Sequence, residues 1–189
     1  MDNGSTDHTE EVVMNFSDHR IQYYYWASNS GGPATPRNRG IAASLASWIS
    51  FLDADDIWYP TRLEEVAHAI KTHPETDVFC HYETLHHVDS GKKSLLKYGP
   101  FKPDFYRVML TRGNHLSTSA VTIRTDFLSR NNLRFNEASD HTIVEDYDLW
   151  LRLASCGALF FFIKKSLGEY IIEGIIFPMP PKNIITIIE

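Results

Sequence analysis

Short apolar runs alternate with amphipathic ones along the first half of the chain. Asp7 and Glu10 stand ahead of Val12, Val13 and Phe16 in the pattern of a capped helix start, which predicts a short helix over about 8–17. Residues 21–26 are aromatic and β-branched and predict a strand. Residues 27–36, with Asn29-Ser30-Gly31-Gly32-Pro33 at their centre, read as a loop. Ile41, Leu45 and Trp48 fall at i, i+4 and i+7 and predict a helix with one buried face, running into a strand over 49–53. Pro60 suits the first turn of a following helix, whose stripe is Leu63, Val66, Ala67 and Ile70 and whose end is marked by Pro74. Residues 77–88 look extended and Gly91-Lys92-Lys93 turns the chain. A helix over 105–110, a strand over 119–123 and a helix over 145–155 with Gly157 as its stop complete the pattern. Strands alternating with helices predict an α/β sheet. A single domain over 1–165 is expected, with 166–189 as a C-terminal tail of unknown role.

The composition is that of an ordinary globular domain: 189 residues, 43% hydrophobic, 22% charged. A net charge of -6 argues against nucleic acid as a partner. Two cysteines, Cys80 and Cys156, make no disulfide framework and read as buried free thiols in a reducing compartment. The chain opens on Met-Asp-Asn-Gly-Ser-Thr-Asp, unlike a signal peptide. No apolar run approaches the roughly 18 to 20 residues a membrane span needs. The expected localisation is cytoplasmic, with peripheral contact at the inner face of the membrane left open.

The candidate chemistry is concentrated in four polar segments. Asp2-Asn3-Gly4-Ser5-Thr6-Asp7 precedes a helix, so its backbone N–H groups and carboxylates could meet a ligand; a capping turn explains it without one. Phe51-Leu52-Asp53-Ala54-Asp55-Asp56 carries an apolar strand straight into three carboxylates. Buried negative charge is costly unless a cation, a hydrogen-bonding ligand or water faces it. Carboxylate oxygens suit Mg²⁺ or Mn²⁺, ions that bridge to phosphates, so the run reads as a metal-assisted diphosphate site or equally as an acidic turn. Pro36-Arg37-Asn38-Arg39-Gly40 opens a helix, where dipole and guanidinium favour an anion; a solvated basic turn explains it as well. Glu145-Asp146-Tyr147-Asp148 also opens a helix, where acids often only offset the dipole. The histidines lack zinc-ligand spacing. A calcium loop starting at Asp53 fails because Ile57 and Trp58 occupy its fifth and sixth positions.

Taken in order, these segments resemble family 2 glycosyltransferases, enzymes of the GT-A fold, a Rossmann-like nucleotide-diphospho-sugar transferase fold. Asp2-Asn3-Gly4-Ser5-Thr6-Asp7 looks like the family's D-D/N-G-S-T-D, and Asn29 through Arg37-Asn38-Arg39-Gly40-Ile41 like its N-x-G…R-N-x-G-I. Residues 51–60 match F-L-D-A-D-D-x-W-x-P, and residues 145–153 match E-D-x-D-L-W-x-R-L. The resemblance covers about residues 2 to 160. It implies that Asp2 hydrogen-bonds the nucleobase, that Arg37 helps bind the nucleotide, and that Asp53 lies near the ribose. It further implies that Asp55 ligates Mg²⁺ or Mn²⁺, that Asp146 is the catalytic base, and that Glu145 and Trp150 lie on the acceptor side. The implied donor is a nucleotide-diphosphate sugar, UDP-sugar favoured, and the implied acceptor is a glycan or lipid-linked hydroxyl, as in cell-surface polysaccharide biosynthesis. The family's first strand, helix and second strand precede the D-G-S-T-D turn, whereas Met1 stands directly before it here. The resemblance therefore implies an N-terminally truncated mixed sheet lacking a β-α-β unit of roughly 30 or more residues. Two functions are then expected as alternatives: an inverting glycosyltransferase, or a non-catalytic fragment needing a partner chain to supply the strands.

Overall fold

In a computed structural model, the structure describes residues 1–138 and 144–173, and the backbone alone of 184–188. The helices are α1 (Thr9–Met14), α2 (Ala34–Ala43), α3 (Arg62–Thr72), α4 (Phe105–Arg112), α5 (Thr125–Arg130) and α6 (Glu145–Ser155). The strands are β1 (Trp48–Asp53), β2 (Ile57–Trp58), β3 (Val78–His87), β4 (Lys92–Leu96), β5 (Val121–Arg124), β6 (Phe160–Ile172) and β7 (Ile184–Ile188). They form one mixed sheet in the order β2-β6-β3-β5-β1-β7, with β4 paired to β3. Only β3 and β6 run parallel, and they are the long central pair. The expected α/β, GT-A-like mixed sheet is present.

Alternation along the strands builds the two faces. Ile49 and Phe51 of β1, Val78 and Cys80 of β3, and Val121 and Ile123 of β5 enter the larger core with Phe105, Met109, Phe127, Leu128, Leu149, Trp150 and Leu153 from α4, α5 and α6. Phe79, one residue out of phase, joins Val66 and Ala69 of α3 with Ile163 and Leu167 in a smaller core on the opposite face. On that face α3 also inserts Arg62, fully buried, which donates to Ser50 Oγ (2.9 Å) and Thr122 Oγ1 (2.8 Å) and stacks 3.9 Å over the Trp58 ring. His81 beside it is held neutral, its pKa lowered to about 3 by burial and by the Arg62 charge.

Three expectations change. The helix read from Ile41, Leu45 and Trp48 lies earlier: Leu45 is 100% exposed and Trp48 is already in β1, paired with Arg124. Sheet pairing, with β5 from Trp48 onward, outweighs a coincidental 3.6-residue spacing. Residues 21–26 make one parallel bridge, Asp2 to Tyr25, and no strand, because no second strand lies beside them among the described residues. Cys156 is exposed at the end of α6, while Cys80 is buried as expected. β6 spans residue 165 and pairs with β3 through Ile172, with a register shift between the His81–Ile163 and Tyr82–Ser166 pairs.

Candidate active site

The end of β1 delivers Asp53 to the sheet rim, and a tight turn returns the chain through a hydrogen bond from the Asp56 N–H to the Asp53 carbonyl (3.0 Å). One hydroxyl locks this turn: Ser119 Oγ accepts from the Asp53 N–H (3.0 Å) and donates to Asp56 Oδ2 (2.5 Å). Asp56 Oδ1 accepts from the Ile171 N–H of β6 (3.1 Å), and the Trp58 indole donates to the Ser119 carbonyl (2.7 Å). Burial pushes the Asp56 carboxyl up to about 6, with the charges of Asp53 and Asp55 adding to it. Asp56 is therefore an anchor for the turn, while Asp55 stands exposed at its tip.

Carboxylate oxygens of Asp53, Asp55 and Asp56 lie within 4.8 Å of one another. A hard, all-oxygen donor set of this span is of the kind that would hold Mg²⁺ or Mn²⁺.

Arg37, 2% exposed, ties three elements together. From α2 its Nη2 donates to Asp53 Oδ1 (2.8 Å) and its Nη1 to Glu145 Oε1 (2.6 Å) at the start of α6. The guanidinium lies 5.1 Å from the Phe135 ring centroid. Arg37 Nε and Glu145 Oε2 are buried without a hydrogen-bond partner among the described residues. Asp146, the next residue, accepts from Thr118 Oγ1 (3.2 Å). Burial raises its pKa, against the Arg37 charge that lowers it. Adjacent hydroxyls of one 3₁₀ turn (Thr118–Ala120) thus hold both acidic segments: Thr118 holds Asp146 and Ser119 holds Asp56.

Asp2 belongs to a second network. Its carboxylate accepts from the Ser5 N–H (2.8 Å) and the Tyr23 hydroxyl, and its backbone pairs with Tyr24 and Trp26. Asn3 accepts from the Ser30 N–H (3.1 Å), tying this turn to the loop before α2. Gly4 is at φ +83°, and a Cβ there would stand 3.0 Å from the Asn29 nitrogen, so the close approach requires glycine.

The structure therefore brings Arg37, Asp53, Glu145 and Asp146 into one cluster with Asp55 at its edge, and leaves Asp2 in its own turn. Trp150 departs from expectation: it is fully buried, edge-on to Phe135 with ring centroids 6.1 Å apart. Enclosed by the core, its side chain packs α6 against Phe135. Thr118 and Arg62 were not legible in the sequence as supports, and Asp56, expected among the three carboxylates of the acidic run, serves as the anchor of its turn. The run Ser117-Thr118-Ser119 ahead of a strand was the signal for Thr118.

The N-terminal turn, the helix bearing Arg37 and the acidic turn after β1 all lie within residues 1–130, which match the family model described as glycosyl transferase family 2. An uncharacterised glycosyltransferase of Haemophilus influenzae is 33% identical over 80% of this chain and 57% of its own length. One of a Nostoc species is 28% identical over 69% of this chain and 42% of its own. The chain spans about half the length of the curated relatives it matches. Staphylococcus aureus TarS, residues 1–349 solved in complex with UDP, superposes with a TM-score of 0.63 over 90% of this chain and 49% of that one, at 19% identity, and so shares the fold. On the family match over most of its length, the chain belongs to glycosyl transferase family 2.

Proposed function

We propose that the chain carries the donor-binding and catalytic part of an inverting glycosyltransferase, which moves a sugar from a nucleotide-diphosphate sugar to an acceptor hydroxyl. The observation that carries this reading is the shared frame of the two acidic segments: Arg37 joins Asp53 to Glu145, and the 118–119 hydroxyls join Asp56 to Asp146. The diphosphate end of a donor and the incoming acceptor are thereby given fixed places relative to each other. Asp55 and Asp53 would hold Mg²⁺ or Mn²⁺, which when bound neutralises the charge developing on the departing diphosphate. The acceptor oxygen bonds to the anomeric carbon, the bond from that carbon to the diphosphate oxygen breaks, and the electron pair leaves with the nucleotide. The acceptor proton passes to Asp146. Its burial-raised pKa makes it a better base than an exposed carboxylate, and Thr118 fixes the carboxylate through Oδ2.

Support for a UDP-sugar comes from the shared fold with UDP-bound TarS. A glycan or lipid-linked hydroxyl is the acceptor class. No described helix is long and apolar enough to cross a membrane.

The test is donor turnover with several nucleotide sugars and Mn²⁺. Asp55→Ala and Asp146→Asn should each lower turnover by about 10²-fold or more. Equal turnover in wild type and Asp55→Ala would remove the metal assignment, and unchanged transfer by Asp146→Asn would remove the base.

A further inference from the structure

β1 carries the candidate site on its last residue, and its outer edge is covered by the C-terminal strand. β7 pairs antiparallel with all but the first residue of β1, in the register Ile49↔Ile188, Ser50↔Ile187, Phe51↔Thr186, Leu52↔Ile185 and Asp53↔Ile184. Its sequence is Ile-Ile-Thr-Ile-Ile. Five consecutive β-branched residues without a charge or proline suit a paired strand, and lack the charges with which proteins blunt a free edge.

The direction of the ladder follows from contacts on the other side of β1. The Asp53 N–H points toward the β5 side, where it meets Ser119 Oγ. The Ser47 carbonyl points the same way, accepting from Thr125 N–H (2.9 Å). Backbone groups alternate sides along a strand, so those of Ile49 and Phe51 also face β5. Ser50 and Leu52 then turn their N–H and C=O groups toward β7. Their opposite residues, Ile187 and Ile185, are the hydrogen-bonding members of β7, while the N–H of Thr186 faces away.

We infer that Ile184–Ile188 is a positioning strand for the candidate active site: by pairing with Ser50 and Leu52 it fixes the pleat of β1, and so holds Asp53 against Arg37. The part concerning the donor rests on the proposed glycosyltransfer; the pairing does not. Without β7 the polar backbone of Ser50 and Leu52 would form an open edge beside Phe51, which is fully buried in the structure. Movement of β1 would be felt at its last residue, the Arg37 partner.

Amide exchange on the full chain, without any nucleotide, separates the strand from the chemistry. In wild type the Ser50 and Leu52 amides should be protected, equally at low and high protein concentration. Ile185→Pro and Ile187→Pro, which delete N–H groups aimed at β1, should speed their exchange by about tenfold or more while the Phe79 and Cys80 amides of β3 stay protected. Thr186→Pro, which deletes an N–H aimed away, should change little. Donor KM should rise in Ile185→Pro and Ile187→Pro, with kcat little altered and recovery in the Ile→Val variants. Fast exchange of Ser50 and Leu52 in wild type overturns the inference without recourse to any variant. Equal effects of all three prolines, or protection that grows with concentration and so belongs to a second copy, also overturn it. An exchange contrast with unchanged KM overturns the positioning role. A wild type that binds no nucleotide sugar overturns the glycosyltransfer reading while the exchange contrast still reports on the strand.

Discussion

Glu83 lies on β3 with no exposed surface, accepting from the Tyr98 hydroxyl at Oε2 (2.6 Å), with Ser117 beside it. Burial, with the negative charges of Asp56 and Asp53 adding to it, pushes its carboxyl up to about 7 from 4.5. The sign of the consequence is fixed by proton counting. Between those two values the folded state holds a proton that the unfolded chain has released, so stability is greatest at low pH and falls as pH rises through about 7. Glu83→Gln has no such proton to lose. It should flatten the fall measured by urea unfolding between pH 5 and 7.5 in the presence of a chelator, and be more stable than wild type at pH 8 by on the order of 2 kcal/mol. Parallel profiles would show that Glu83 is ionised in the fold. The sequence offered no sign of this residue's burial, because a glutamate on an extended segment is ordinarily solvated. Arg37, Asp53 and Glu145 were legible as chemistry. Their convergence was not, since the partners stand 16 and 108 residues from Arg37.

At the scale of elements, the turn that bears Asp55 depends on β2 lying flat against β6, with Ile57 opposite Glu169 and Trp58 opposite Gly168. A Cβ on Gly168 would stand 2.6 Å from the Ile57 carbonyl oxygen, a backbone atom that cannot rotate aside. Gly168→Ala should therefore push β2 off β6, cost roughly 1–3 kcal/mol in thermal or urea unfolding, and weaken Mn²⁺ binding through the displaced turn. Wild-type stability and Mn²⁺ affinity in this variant would show that the edge has slack. Elements with their own punctuation were readable from the chain. α3 has Pro60 before it and Pro74 after it, and α6 ends at Gly157 with φ +81°. α2 was misplaced because its helix buries mainly Pro36, Arg37 and Gly40, with Ala34, and leaves no apolar stripe to read. The expected strand at 21–26 has strand composition, but a strand exists only where a neighbour supplies the ladder.

For the molecule as a whole, cohesion is unequally distributed. β1, β3, β5 and β6 are clasped between two apolar cores, whereas α1 has no buried residue and, with Phe16 just past its end, exposes Val12, Met14 and Phe16 at 57–67%. The N-terminal segment is attached through the Asp2 turn, the Asn3 to Ser30 contact and the Arg39 guanidinium 4.4 Å over the Trp26 ring. Its apolar side chains gave an amphipathic pattern in sequence, yet pattern alone does not say which surface will cover it. Such a segment opens locally at far less free energy than the sheet. The amides of Thr9–Met14 should exchange at least about 10²-fold faster than those of Val78–Tyr82, since they lack buried contacts to hold them. UDP with Mn²⁺ should slow the Asp2–Ser5 turn and the loop at 29–32 if that turn faces a nucleotide, and leave α1 fast. Exchange in α1 as slow as in β3, with no ligand present, would mean that its apolar face is covered in solution. A nucleotide that slows α1 but not the Asp2 turn would move the base-binding role away from Asp2.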